Sequence, residues 1–184
     1  MILWTIQHEG AWRRAQRRGV LRADGRRQWR HFRASYCWMQ REMRQRIGEP
    51  PSGVQHAIWA WLQYENENKR RPDLRRSGHL PAGTPGVLLE FCAAEDNVLL
   101  SDFDLWHYVL NRWYLPQTPS EAKDELEDAA RLRTRRLTRS WRRIFDLDFY
   151  LEGVSVPRSE RSIQATVWQV PLGAIRSARV FRAR

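Results

Sequence analysis

Ile58-Trp-Ala-Trp-Leu-Gln-Tyr64, continued by Glu65-Asn-Glu-Asn-Lys69 and by Arg70-Arg-Pro-Asp-Leu-Arg75, is the densest aromatic and polar stretch of the sequence. Its first part alternates with the period of a strand, which puts Trp59, Trp61 and Gln63 on one face and Ile58, Ala60, Leu62 and Tyr64 on the other. Both faces are therefore occupied. The middle is polar and rich in turn residues. The Pro72-Asp73-Leu74-Arg75 step at the end sets a carboxylate and a guanidinium beside the indoles, so the whole reads as a candidate ring-and-phosphate site.

Upstream of this stretch, Ile2 to Gln7 alternates Ile2, Trp4 and Ile6 against Leu3, Thr5 and Gln7, the pattern of a first strand. His8 to Arg18 carries Ala11, Trp12 and Ala15 at helical spacing, with Gly19 at the stop position and extended Val20-Leu21 after it. A second helix is expected from about Trp29 to Ile47, with Phe32, Tyr36, Met39, Met43 and Ile47 on its apolar stripe. Glu49 to Gly53 is a Pro-rich turn. Downstream, the Gly78 to Gly86 segment with Pro81 and Pro85 reads as a loop. Val87 to Ala93 and Val98 to Leu100 read as two strands, expected side by side, and Ser101-Asp102 caps a helix bearing Phe103, Trp106, Val109, Leu110 and Trp113. Thr118-Pro119-Ser120-Glu121 is a capping box that opens a helix to about Phe145, burying Leu126, Ala130, Leu137, Trp141 and Ile144. Ile163 to Val170 and Ala178 to Phe181 close the chain as strands. This order argues against regular βαβ alternation. It predicts an α+β fold, a single domain over residues 1–184 with a mixed or antiparallel central sheet and flanking helices.

The 184 residues carry 32 Lys and Arg against 21 Asp and Glu, a net charge of +11, and the excess is concentrated. Residues 11–46 hold twelve Arg against Asp24 and Glu42, residues 131–143 hold seven Arg and no acid, and residues 86–111 hold five acids and no Lys or Arg. Clustered Arg is the footprint of a polyanion, because the guanidinium forks onto phosphate and releases counterions. Nucleic acid is the partner expected, through Arg13, Arg14, Arg17, Arg18, Arg26, Arg27 and Arg30; an acidic protein meeting the same Arg face is the alternative. The sequence has no apolar run long enough for a membrane span, and its opening has no basic leader, so a cytoplasmic protein is expected. Cys37 and Cys92 lie far apart, which suggests reduced, buried thiols rather than a disulfide or zinc site. The five His lie singly, and no metal is expected. Phosphate-loop, dinucleotide, Ser-hydrolase and zinc-protease motifs are all missing. Of the ten Trp, those on helical stripes (Trp12, Trp106, Trp113, Trp141) are expected in the core, whereas Trp59, Trp61 and Trp168, on strands, are candidates to stack on a base or a nicotinamide.

Over its whole length the chain resembles a bacterial family known only as a domain of unknown function. The resemblance lies in Trp4-Thr5-Ile6-Gln7, Trp59-Ala60-Trp61, Pro72-Asp73-Leu74-Arg75, Ser101-Asp102-Phe103 and Ile163-Gln164-Ala165-Thr166. The two ends are also similar to the ADP-ribosyltransferase superfamily, especially its DNA-modifying toxins. Leu3-Trp4-Thr5-Ile6-Gln7 with Gly19-Val20-Leu21 is similar to the opening strand, short helix and Gly-Leu step of that superfamily. Ile163-Gln164-Ala165-Thr166 and Val170-Pro171-Leu172-Gly173-Ala174-Ile175 are similar to its closing Arg-Gln-Ala-Glu strand and Pro-Leu-x-x-Ile turn. The resemblance implies an ADP-ribosyltransferase-like fold that uses NAD to modify a nucleic acid. Thr5 and Gln7, with Trp59 or Trp61 as a shelf and Arg75 on phosphate, would hold the dinucleotide. Gln164, Thr166 and Asp73 would stand at the reacting centre. The sequence departs from the superfamily at two places: Thr166 occupies the position of its catalytic Glu, and Thr5 that of its first-strand His. A hydroxyl cannot supply the lost negative charge, worth about 2.7 to 4 kcal/mol in sites of this type. Another acid, such as Glu65, Asp73 or Asp102, must then serve, or the fold is kept for binding.

Overall fold

A computed structural model describes residues 1–25, 30–121 and 134–184. Strand β1 (Ile2–His8) runs into helix α1 (Glu9–Arg18), whose N-cap is His8 and whose stop is Gly19 in the left-handed region, as the sequence predicts. After β2 (Val20–Leu21) and a 3-10 turn at Arg30–Phe32 comes α2 (Arg33–Ile47), shorter than expected at its start. The sheet is completed by β3 (Ile58–Gln63), β4 (Pro85–Cys92), β5 (Leu99–Asp102), β6 (Ile163–Val167) and β8 (Ile175–Arg182), with β7 (Val170–Pro171) pairing outside it. Helices α3 (Phe103–Asn111) and α4 (Thr134–Ser140) complete the elements, α4 continuing as a 3-10 turn over Trp141–Phe145. Thr118 makes the N-cap half of the predicted capping box, its Oγ1 accepting from the Glu121 amide, while the Glu121 carboxylate takes the amide of Gln117, one residue before the cap. Leu126 and Ala130, expected on the buried stripe that follows, lie outside the described residues.

Among the described residues six strands form one sheet in the order β5-β6-β3-β1-β4-β8, and every pairing is antiparallel. The fold is thus α+β. The two middle strands, expected as neighbours, are not: β4 sits between β1 and β8, while β5 pairs with β6 at the far edge. The short link between β4 and the 3-10 turn that precedes β5 invites a local hairpin, but the long-range partners of each strand win.

The pleat divides the core in two. Leu3, Ile58, Ala60, Val87, Leu89, Phe91, Ala165 and Val167 form one buried cluster with Ala15 of α1 and with Leu21 and Val170. The other face packs Leu99 and the half-buried Trp59 under Trp38, Met39 and Met43 of α2, Leu105, Trp106 and Val109 of α3, and Trp141 and Ile144. Trp38, beside the expected stripe of α2, is thus a core residue, and the buried side of the helix is turned toward it. Trp113, expected in the core, is 56% exposed, because α3 ends at Asn111 and Arg112 takes a left-handed conformation that carries the indole outward. Cys37 and Cys92, expected to be buried, are both exposed free thiols.

Candidate functional site

The register of the sheet lines up one residue from each strand. Ser101 of β5 stands opposite Gln164 of β6, Gln164 opposite Trp61 of β3, Trp61 opposite Trp4 of β1, Trp4 opposite Glu90 of β4, and Glu90 opposite Ser177 of β8. Cross-strand partners share a face, so these six form a polar and aromatic row on one side of the sheet. Trp4 donates its indole N–H to Glu90 at 3.2 Å, and Arg70 lies 5.7 Å above the Trp4 ring. Trp61 meets Tyr64 and Phe103 edge-on, each at 5.1 Å. Two atoms of the row are buried with no hydrogen-bond partner among the described residues, Gln164 Oε1 and Ser101 Oγ. Leaving such a group unpaired costs about 1–3 kcal/mol, a cost that a bound donor would remove.

Beside the row, the 64–76 segment folds over β4 and β8. Lys69, Arg70, Arg71, Arg75, Arg76 and Arg179 surround a cavity of about 520 Å³ with Tyr64, Leu88 and the acids Glu65 and Asp73. Six cations face two carboxylates there, and both carboxylates are engaged. Glu65 takes Lys69 at 3.2 Å and Arg76 at 2.5 Å, while Asp73 is clasped by Arg75 through both oxygens at 2.8 to 3.1 Å. The Arg75 fork and the Arg75 amide hold the Asp73 carboxyl well below the usual carboxylate range. Arg71 and Arg179 form no ion pair among the described residues, so they are available to an anion.

The residues expected to share one cleft are separated by the pleat. Trp59, Trp61, Gln164 and Thr166 lie on the face of the row, since Trp59 pairs with Thr166 and Trp61 with Gln164. Thr5 and Gln7 alternate with Trp4 and point to the opposite face, where Gln7 donates to Thr5 Oγ1 at 2.8 Å and Thr5 donates to the Trp59 carbonyl at 2.7 Å. The Trp59 and Trp61 part of the predicted face therefore turns toward Gln164 and away from Thr5, whereas Gln63, expected beside them, leaves that face: a register shift after Trp61 pairs it with Ile163, and its amide donates to the Arg161 carbonyl at 2.7 Å. Trp59 itself lies 5.0 Å from Trp106 and 6.0 Å from Tyr36, in contact with the helical core. Thr166 is fully buried and donates to the Leu99 carbonyl at 3.3 Å. Arg75 and Asp73 lie on the cavity next to the row. Asp102, the third acid considered, caps α3 at the Leu105 amide and pairs with buried Arg161 at 3.2 Å. Among the basic residues, Arg13 is tied to Glu9, Arg17, Arg18 and Arg30 are exposed, and Arg14 pairs with Asp24 at 3.6 Å. Arg26 and Arg27 lie outside the described residues.

Sequence reasoning missed Trp4, Glu90 and Ser101. The alternation of β1 set Trp4 apart from Thr5, and only the register could say that Trp4 was the one to face Trp61.

The family model described as a domain of unknown function (DUF3841) matches residues 2–133. The chain belongs to that family. The matched region carries Trp4, Trp61, Glu90 and Ser101 of the row together with the 64–76 segment, while Gln164 and Ser177 come from beyond it. No curated protein and no solved structure matches the chain. No described helix is long and apolar enough to cross a membrane, and among the described residues no three His, Cys, Asp or Glu side chains gather as a metal site.

Proposed function

We propose that this chain is an ADP-ribosyltransferase-like protein that takes NAD and acts on nucleic acid. One observation carries the reading: the two motifs by which the chain's ends resemble that superfamily meet in space. Val20-Leu21, after the Gly19 step, pairs with Val170-Pro171, the Leu172 amide donates to the Gly19 carbonyl, and β1 and β6 flank β3 on either side. The chemistry of the row agrees. Trp4 and Trp61 offer rings against which a nicotinamide stacks, the unpaired Gln164 carbonyl suits a carboxamide N–H, and Arg70, Arg71 and Arg179 suit a pyrophosphate, the Arg75 fork being spent on Asp73. In the transfer the bond between ribose C1 and the nicotinamide nitrogen breaks, and its electron pair leaves with nicotinamide. A nucleophilic oxygen or nitrogen of the nucleic acid then bonds to C1 and gives up its proton. Glu90, the carboxylate of the row, supplies the negative charge that Thr166 lacks.

Incubation of the full chain with NAD and DNA or RNA tests this. Release of nicotinamide with a mass gain of one ADP-ribose on the nucleic acid is the expected result, and no turnover with either nucleic acid removes the enzyme reading.

A second reading, a non-catalytic nucleic-acid-binding module on the same scaffold, is favoured by one specific observation: Thr166, at the place of the catalytic Glu, is sealed in the sheet with its hydroxyl committed to Leu99. Salt-sensitive binding of oligonucleotides with no rise in melting temperature on adding NAD selects it.

A further inference from the structure

A second basic cleft opens at the other end of β3 from the 64–76 segment, where α1 meets residues 22–25 and 53–56. Arg14, Arg18, Arg22, Gln55 and His56 line a cavity of about 720 Å³ there. A smaller one of about 220 Å³ shares Arg14 and His56 with it and leads inward to Gln7, Tyr36 and Trp59. The arrangement depends on local backbone. Gly25 lies so close to His56 that a Cβ would stand 2.0 Å from the ring, and Gly53 adopts a positive φ beside the Arg22 guanidinium.

Helix α1 carries its arginines on two neighbouring strips, each with one-turn spacing. Arg14 and Arg18 turn into the cleft, while Arg13 is held by Glu9 at 2.7 Å and Arg17 is exposed outside the lining. Arg22 spends its Nε on Gln169 and keeps the rest of its fork for the cavity, and Arg18 has no partner among the described residues. Asp24 is the carboxylate on the wall, 3.6 Å from Arg14.

We propose that this cleft holds the phosphate backbone of a nucleic acid, with Arg14, Arg18 and Arg22 on its phosphate oxygens. The proposal rests on the nucleic-acid reading above and adds which arginines take the phosphates. A concave site with three guanidiniums can fork onto successive phosphates, whereas the Arg13 and Arg17 strip offers only charge to solvent.

The test compares two double variants of the full chain that remove equal charge from one helix region. Binding of a labelled single strand and of a duplex is followed by anisotropy over a salt series for Arg18→Ala with Arg22→Ala and for Arg13→Ala with Arg17→Ala. The cleft pair is expected to weaken binding about tenfold or more and to flatten the plot of log affinity against log salt, for each phosphate no longer neutralised, by about 0.9 with the duplex and about 0.7 with the single strand. The outer pair is expected to weaken it no more than about threefold. Because Arg22 also braces Gln169, Arg18→Ala alone is measured in parallel and must by itself exceed the loss of the outer pair. Equal losses from the two pairs overturn the cleft while leaving nucleic-acid binding in place. Failure of the unaltered chain to bind any oligonucleotide at low salt overturns both. Competition by inorganic phosphate as effective as that of the oligonucleotide, at equal phosphate concentration, overturns a polymer backbone as the occupant.

Discussion

Arg161 heads the largest fully buried side chains among the described residues, 1% exposed, and each nitrogen of its fork is engaged. It donates to the carbonyls of Val156, Leu147 and Phe149 and pairs with Asp102 at 3.2 Å, tying the loop before β6 to the end of β5. Replacing it by Met leaves a buried carboxylate without its cation and three carbonyls without donors. A loss of about 3–5 kcal/mol in urea unfolding is expected, and a loss under about 1 kcal/mol would show that water reaches the site. Burial pushes the Asp102 carboxyl up from its ordinary value, against the opposing pull of the Leu105 amide and Arg161. A raised folded value means that the folded state holds the proton more tightly than the unfolded chain. The contribution is therefore complete below about pH 3.9 and is lost as pH rises through the folded value. Unfolding free energy measured from about pH 4 upward should carry this declining component, and Asp102→Asn should lack it. Glu90 is the residue on which the proposed chemistry turns. Glu90→Gln, which keeps a group able to accept from Trp4, should lower NAD turnover by about 100-fold or more with little change in melting temperature, whereas unchanged turnover would place the charge elsewhere.

At the scale of the element, α3 separates what local sequence can and cannot tell. Its start was legible, since Asp102 caps the Leu105 amide as an N-cap acid should. Its buried side was only partly so: Trp106 is 3% exposed and Trp113 56%, though both fit the same helical stripe. Trp106→Ala should cost about 3–5 kcal/mol and Trp113→Ala about 0.5 kcal/mol or less in thermal or urea unfolding, and equal costs would contradict the observed end of the helix. Gly86 makes a similar point within β4. A Cβ there would stand 2.7 Å from the Phe181 ring and 2.8 Å from Leu80, so Gly86→Ala should cost about 1–3 kcal/mol by forcing β8 and the 78–84 loop apart, read as a lowered melting temperature.

For the whole molecule, the charge pattern set by the sequence reappears as two basic cavities at opposite ends of β3, one under the 64–76 segment and one against α1. The α+β class, the limits of α1, the Thr118 cap and the period of β1 and of β3 as far as Trp61 were determined by the sequence, because caps, left-handed glycines and alternation act over a few residues; the register shift that takes Gln63 off the Trp61 face was not. The relation between strands was decided only by the tertiary structure. β4 and β5 are close in the chain yet have β6, β3 and β1 between them. Which of Trp4 or Thr5 would face Trp61 depended on a register spanning more than fifty residues, and a slip of one position would exchange every side chain between the two faces. Local physics wrote the alternation; only the closing of the sheet decided that Trp4, Trp61, Glu90 and Gln164 would stand in one row.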